Sequence, residues 1–144
     1  MLSDHELLQP ATAEDFGYYL RMYALRSHDP GRAAVLALSN DVLSTARCFM
    51  TSDRLSGVAV QNDGTGIGMY SFVRGRAKNI VEYAISQGAW RLECYDFPAL
   101  VSLYECVGGV VVSRTPFDPS KAEPRFLKAN LGTPDFIVVE LASH

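Results

Sequence analysis

Met69-Tyr70-Ser71-Phe72-Val73-Arg74-Gly75-Arg76-Ala77-Lys78-Asn79-Ile80-Val81-Glu82-Tyr83-Ala84-Ile85 passes from a strand rhythm to a helical one. Met69 to Phe72 reads as the end of a strand. Beyond it Ala77, Ile80, Val81, Ala84 and Ile85 share one helical face, with Gly88 placed as the left-handed residue that ends the helix. The hexapeptide between, Phe72 to Ala77, is a strand-to-helix turn with two arginines and a glycine followed two residues later by alanine. Such a turn presents the unpaired N–H groups and positive dipole end of a helix to an anion, and guanidiniums add charge and forked donors. Read alone, the six residues are equally an ordinary turn with two solvated arginines.

A second glycine stretch, Gln61-Asn62-Asp63-Gly64-Thr65-Gly66, competes for the anion-binding role. The residues after Gly66 read as strand rather than helix, so this stretch lacks the dipole and orphan donors. Asn62-Asp63-Gly64 between Val60 and Ile67 is instead a hairpin signal, because these residues tolerate positive φ. The glycines of Thr65-Gly66-Ile67-Gly68 point to a bulge or a close backbone approach.

Outward from this centre, helices and strands interleave. Leu7 to Pro10 is a short strand; Thr12 N-caps a helix that carries Glu14 and Asp15 in its first turn and runs to about Arg26. Phe16, Tyr19, Leu20 and Tyr23 form its apolar face. A second helix begins near Arg32 and is interrupted or ended near Ser39-Asn40-Asp41. Cys48 to Thr51 and Leu55 to Gln61 are strands, as is Trp90 to Tyr95. Pro98 opens a helix that Gly108-Gly109 closes. Val110 to Ser113 is a strand, Thr115 to Pro134 a long loop, and Phe136 to Leu141 a final strand. The class is α/β or α+β with a mixed sheet, expected as a single domain over residues 1–144.

Composition narrows the function. With 144 residues, 48% hydrophobic, the chain can build one core, and 13 Lys+Arg against 16 Asp+Glu supply no positive field for nucleic acid. Apolar runs such as Val107 to Val112 fall far short of a bilayer span. The acidic N-terminus has no secretory pattern, so a cytoplasmic location is expected. Cys48, Cys94 and Cys106 imply neither a disulfide framework nor a metal site. His5, His28 and His144 read as surface residues.

The order of elements, together with Leu103-Tyr104-Glu105-Cys106-Val107-Gly108, resembles the GNAT N-acetyltransferase superfamily, whose L-Y-E-x-x-G-F run precedes the sixth strand. The stretches Leu92-Glu93-Cys94-Tyr95-Asp96 and Ser113-Arg114-Thr115-Pro116-Phe117-Asp118 are similar to counterparts in short bacterial and phage-encoded members. The resemblance implies a mostly antiparallel central sheet flanked by about four helices, with a splayed gap between the strands ending at Phe72 and Tyr95. It implies acetyl-CoA as cofactor. Main-chain groups of Tyr70 and Phe72 would meet the pantetheine arm, and Val73, Arg74, Gly75, Arg76 and Ala77 the pyrophosphate. Tyr104 matches the tyrosine that protonates the departing thiolate; it is alternatively a core aromatic. Glu93 and Asp96 are the first candidates for the general base, and each is also readable as a surface carboxylate. Cys106 reads as structural.

Three positions depart from the family pattern. Phe72 replaces the usual Gln or Arg of the phosphate motif, Gly109 a phenylalanine that packs behind the cleft, and Asp96-Phe97-Pro98 an asparagine. The acceptor implied is an amine, walled by Tyr18, Tyr19 and Tyr23, and a homodimer is compatible. The alternative is a degenerate member of the fold that binds a partner without turnover.

Overall fold

The computed structural model describes residues 7–26, 40–95, 98–116, 120 and 135–141. The chain opens with β1 (Leu8–Ala11) and α1 (Ala13–Arg26), whose cap is the expected one: the Thr12 hydroxyl accepts from the Asp15 N–H at 3.1 Å. A short α2 (Asn40–Ser44) leads to β2 (Arg47–Thr51), β3 (Ser56–Val60) and β4 (Thr65–Ser71). Asn40 and Asp41 are the first residues of α2; Ser39 and the earlier part of the expected second helix lie outside the described residues. Then come α3 (Ala77–Ser86), β5 (Arg91–Tyr95), α4 (Pro98–Cys106), β6 (Val110–Thr115) and β7 (Phe136–Glu140). The long loop after Pro116 lies almost wholly outside the described residues.

The described strands form one seven-stranded sheet in the order β1-β2-β3-β4-β5-β7-β6. Alternation within strands sends apolar side chains to both faces. On β2, Cys48 and Met50 join Phe16, Leu20, Tyr23, Leu43 and Tyr70 beneath α1 and α2, whereas Phe49 joins Val58, Val60, Leu92, Ile137 and Val139 on the other face. On that second face α3 buries Ile80, Val81 and Ala84, and α4 contributes Tyr104. Full burial of an aliphatic side chain such as Ile80 contributes roughly 1.5–3 kcal/mol, which fixes α3 against the sheet. Its end is as expected, with Gly88 at φ +100 beyond the last turn.

Every strand pair is antiparallel except β4 with β5. That parallel pairing consists of Thr65 opposite Arg91 and Gly66 opposite Leu92, and it stops there. Two glycines account for the geometry. A Cβ on Gly66 would lie 2.6 Å from Leu92 Cδ2, so glycine permits the close approach. Two residues on, Gly68 takes φ +64, and β4 advances from Ile67 to Tyr70 while β3 advances only from Ala59 to Gly57. The extra residue is a bulge, which bends β4 locally. The expected bulge is present, while the near neighbour of Gly66 is the Leu92 side chain rather than backbone; beyond Gly66 and Leu92 β4 and β5 no longer pair, which leaves a gap between them.

Candidate functional site

At the open end of that gap β4 runs into the turn of residues 72–76. Gly75 has φ +87, and a Cβ placed on it would meet no atom within 4 Å. The turn therefore needs glycine for its backbone and leaves space beside it. Arg76 is the N-cap of α3 and contributes no side-chain cap to it. The first intrahelical bond runs from the Ile80 N–H to the Arg76 carbonyl at 3.0 Å, so the N–H groups of Ala77, Lys78 and Asn79 have no partner within the helix. An uncapped helix start beside an open glycine is the arrangement that accepts an anion. Arg74 is exposed beside it.

Arg76 itself corrects the sequence expectation. Its guanidinium does not stand at the mouth of the turn; the residue is 5% exposed, and its side chain reaches back to Asp53 at 2.8 and 3.2 Å and to Ser56 Oγ at 3.2 Å. A buried guanidinium is tolerated only when paired, and the carboxylate it needs sits in the turn between β2 and β3. Of the two expected cations, only Arg74 is left to face a phosphate.

The main-chain expectation is also corrected. The Phe72 N–H donates to the Leu55 carbonyl at 2.7 Å, so this backbone faces β3. Because N–H and C=O groups alternate sides along a strand, Tyr70, paired with Gly57, faces β3 too, and Ser71 is the residue whose main chain faces the gap. Register around the bulge decides this. Val73 is likewise engaged locally, its N–H donating to Ser71 Oγ at 3.2 Å while its carbonyl accepts from that hydroxyl at 2.6 Å.

The Phe72 ring, 40% exposed, packs edge-on against Tyr23 at 5.5 Å and near Tyr70 at 6.1 Å. Tyr23 and Tyr70 are buried, and the Tyr70 hydroxyl donates to the Arg54 carbonyl at 3.1 Å. Burial pushes the Tyr70 phenol well above its ordinary range, so it remains a donor. Tyr18 is exposed and meets Tyr19 edge-on at 5.2 Å. Tyr23 and Tyr70 thus form a buried aromatic cluster between α1 and the end of β4, and Phe72 is its exposed member.

The catalytic candidates are not brought into one cluster. Tyr104 is buried among Leu92, Ile137 and Val139, the core position that the sequence left open. Glu93 is exposed on β5, the first residue past the last β4–β5 pair, with its Oε1 accepting from Arg91 at 2.6 Å. Asp96 lies outside the described residues. Gly109 is no packing defect: it is buried, and a Cβ there would sit 2.7 Å from the Tyr104 carbonyl and 2.9 Å from Val139 Cγ1. The backbone fills the space that a side chain would otherwise take.

At the level of sequence, no protein-family model and no curated protein matches the chain. Solved structures do match in fold. The apo form of YjaB from Escherichia coli superposes with TM-score 0.64 at 12% identity over 96% of this chain and 98% of that one. The yncA protein from Salmonella typhimurium, solved with its cofactor acetyl-CoA, gives 0.63 at 11% identity over 96% and 94%. A GNAT superfamily phosphinothricin acetyltransferase from Sinorhizobium meliloti, in complex with acetyl-CoA, gives 0.58 at 9% identity over 94% and 88%. Such identities speak for architecture, and over nearly the whole chain that architecture agrees: the chain has the fold of the GCN5-related N-acetyltransferases.

Proposed function

We propose that the chain is an acetyl-CoA-dependent N-acetyltransferase that binds the coenzyme in the gap between β4 and β5 and acetylates an amine by direct attack. The observation that carries this reading is the parallel β4–β5 pairing that ends after Gly66 and Leu92, with the open turn at Gly75 just beyond the end of β4. Neighbours of the same fold that hold acetyl-CoA support it. In this reading the first-turn N–H groups of α3 and the backbone around Gly75 hold the pyrophosphate, and Arg74 adds charge. The main chain of Ser71 offers amide partners to the pantetheine arm. The bound thioester supplies an activated acetyl group.

Glu93, the carboxylate nearest the start of the gap along β5, is the candidate to take the amine proton, directly or through one water, and Tyr104 the candidate to protonate the thiolate. On the acceptor side stand Tyr18 and Tyr19 of α1 and the exposed Phe72, with Tyr23 buried behind Phe72. A second reading, binding without turnover, draws support from two observations: Tyr104 sits in the core and Glu93 is paired with Arg91. No helix among the described residues is long and apolar enough to cross a membrane.

Calorimetric titration with acetyl-CoA tests the reading, with Gly75→Ala and Gly75→Glu alongside wild type. Both variants carry the cost of a side chain at φ +87, and only the glutamate adds negative charge. Micromolar binding that survives partly in the alanine variant and vanishes in the glutamate variant is expected. Absence of heat and of any thermal shift at millimolar coenzyme in wild type would sink the proposal. Binding without acetylation across an amine screen would favour the second reading.

A further inference from the structure

The burial of Arg76 needs a reason. A turn facing solvent can be held by an apolar anchor at less desolvation cost than a guanidinium, whose burial has to be offset by its partners. Here the compensation is specific. Nη1 and Nη2 engage both carboxylate oxygens of Asp53, and Asp53 is itself oriented by the Thr51 hydroxyl at 2.6 Å and the Leu55 N–H at 3.0 Å. Burial alone would raise the Asp53 pKa, but donation from Arg76, Thr51 and Leu55 together with the charge of Arg76 holds it well below the usual carboxylate range.

From Arg76 a second line of bonds runs through Ser56 Oγ to Ser71 Oγ at 2.9 Å and on to the Val73 carbonyl. The Ser71 proton goes to Val73, so Ser56 donates to Ser71. The turn is thus tied at both shoulders, Val73 through Ser71 and Arg76 through Asp53, with Gly75 open between them. The β2–β3 turn that presents Asp53 is itself fixed. Arg54 takes φ +63, accepts the Tyr70 hydroxyl on its carbonyl, and pairs with Asp15 of α1 at 2.9 Å.

We infer that Asp53 is a positioning residue for the anion-binding turn: without touching a ligand, it holds Arg76 and so sets the direction of the N–H groups beyond Gly75. The inference rests on the coenzyme reading above, and its test separates the two. Asp53→Asn keeps the shape and the acceptor for Thr51 and Leu55 while removing the charge; Arg76→Lys keeps the charge and loses the fork. Each is expected to weaken acetyl-CoA binding roughly tenfold. Acetyl-pantetheine, which lacks the pyrophosphate, is expected to bind Asp53→Asn as it binds wild type. A purely structural role would lower both affinities alike.

In ligand-free protein, Asp53→Asn is expected to move the amide resonances of Gly75 and Ala77 and to leave that of Gly64 in place. Equal loss for both ligands, or unchanged acetyl-CoA affinity in a wild type that binds, overturns the inference. If wild type binds neither ligand, the coenzyme reading falls, and the clamp stands or falls on the ligand-free amide shifts. If neither variant folds, the pair is a stability element and the inference is wrong.

Discussion

Gly66 and Leu92 form the last contact before β4 and β5 part, and that contact can be measured by a double-mutant cycle. Gly66→Ala places a methyl 2.6 Å from Leu92 Cδ2, about an ångström inside normal carbon contact. Leu92 is 7% exposed and packed among Val60, Ala84 and Val139, so it has little room to yield. Overpacking of this kind costs about 1–3 kcal/mol. Leu92→Ala removes the obstructing atom and leaves a cavity, at about 2–5 kcal/mol. In the double variant the added methyl enters space that the leucine vacated. Its destabilisation should fall below the sum of the singles by about 1–2 kcal/mol, within the range for residues in contact. Urea unfolding tracked by circular dichroism, with the slope unchanged across the four proteins, reads the cycle. Additivity within a few tenths of a kcal/mol would mean that the two strands do not meet at this point, and the opening of the gap beyond it would need another cause.

Three more outcomes are expected from the same structure. Gly109→Ala should destabilise by about 1–3 kcal/mol, because its Cβ would press on the Tyr104 carbonyl and Val139; a thermal midpoint equal to wild type would show that the backbone there is loose. Asp53 has a depressed pKa when folded, so its stabilising contribution is fully present above the unfolded value of about 3.9 and is lost as pH falls toward the folded one. Asp53→Asn should therefore flatten the acid limb of a stability–pH curve, and an unchanged slope below about pH 4 would count against the Arg76 pairing. Gly64→Ala drives a Cβ to within 2.2 Å of the Trp90 ring, whose Nε1 donates to the Asp63 carbonyl at 2.7 Å. As Trp90 is the single tryptophan, its fluorescence should shift to the red, and an unaltered spectrum would contradict the packing.

Legibility in the sequence tracks the range of the forces involved. The Thr12 cap, the apolar face of α3 and the terminating Gly88 are set within a turn or two of chain, and each stands where local chemistry puts it. The glycines of Thr65 to Gly68 announce the bulge for the same reason: a missing side chain inside a strand pattern is a local mark. What the sequence could not show depends on partners far along the chain. Arg76 looks like a phosphate ligand until Asp53, in another hairpin, is seen to hold it. The side of β4 that faces the gap turns on a one-residue bulge, which shifts the available main chain from Tyr70 and Phe72 to Ser71. Gly109 reads as lost packing until the fold brings the Tyr104 carbonyl and Val139 against it. One signal for Arg76 was present: Thr51-Ser52-Asp53, with Leu55-Ser56 just beyond, is a turn with an acceptor that its own neighbours orient.

If a coenzyme lies along β4 with its phosphates at Gly75, amide chemical shifts followed during a titration with acetyl-CoA will map it there. Saturable movement of Ser71, Gly75, Ala77, Lys78 and Asn79 is expected, with the Asn62-Asp63-Gly64 turn unmoved. Shifts centred on Asn62 to Gly66 instead, or none at saturating coenzyme, would contradict it.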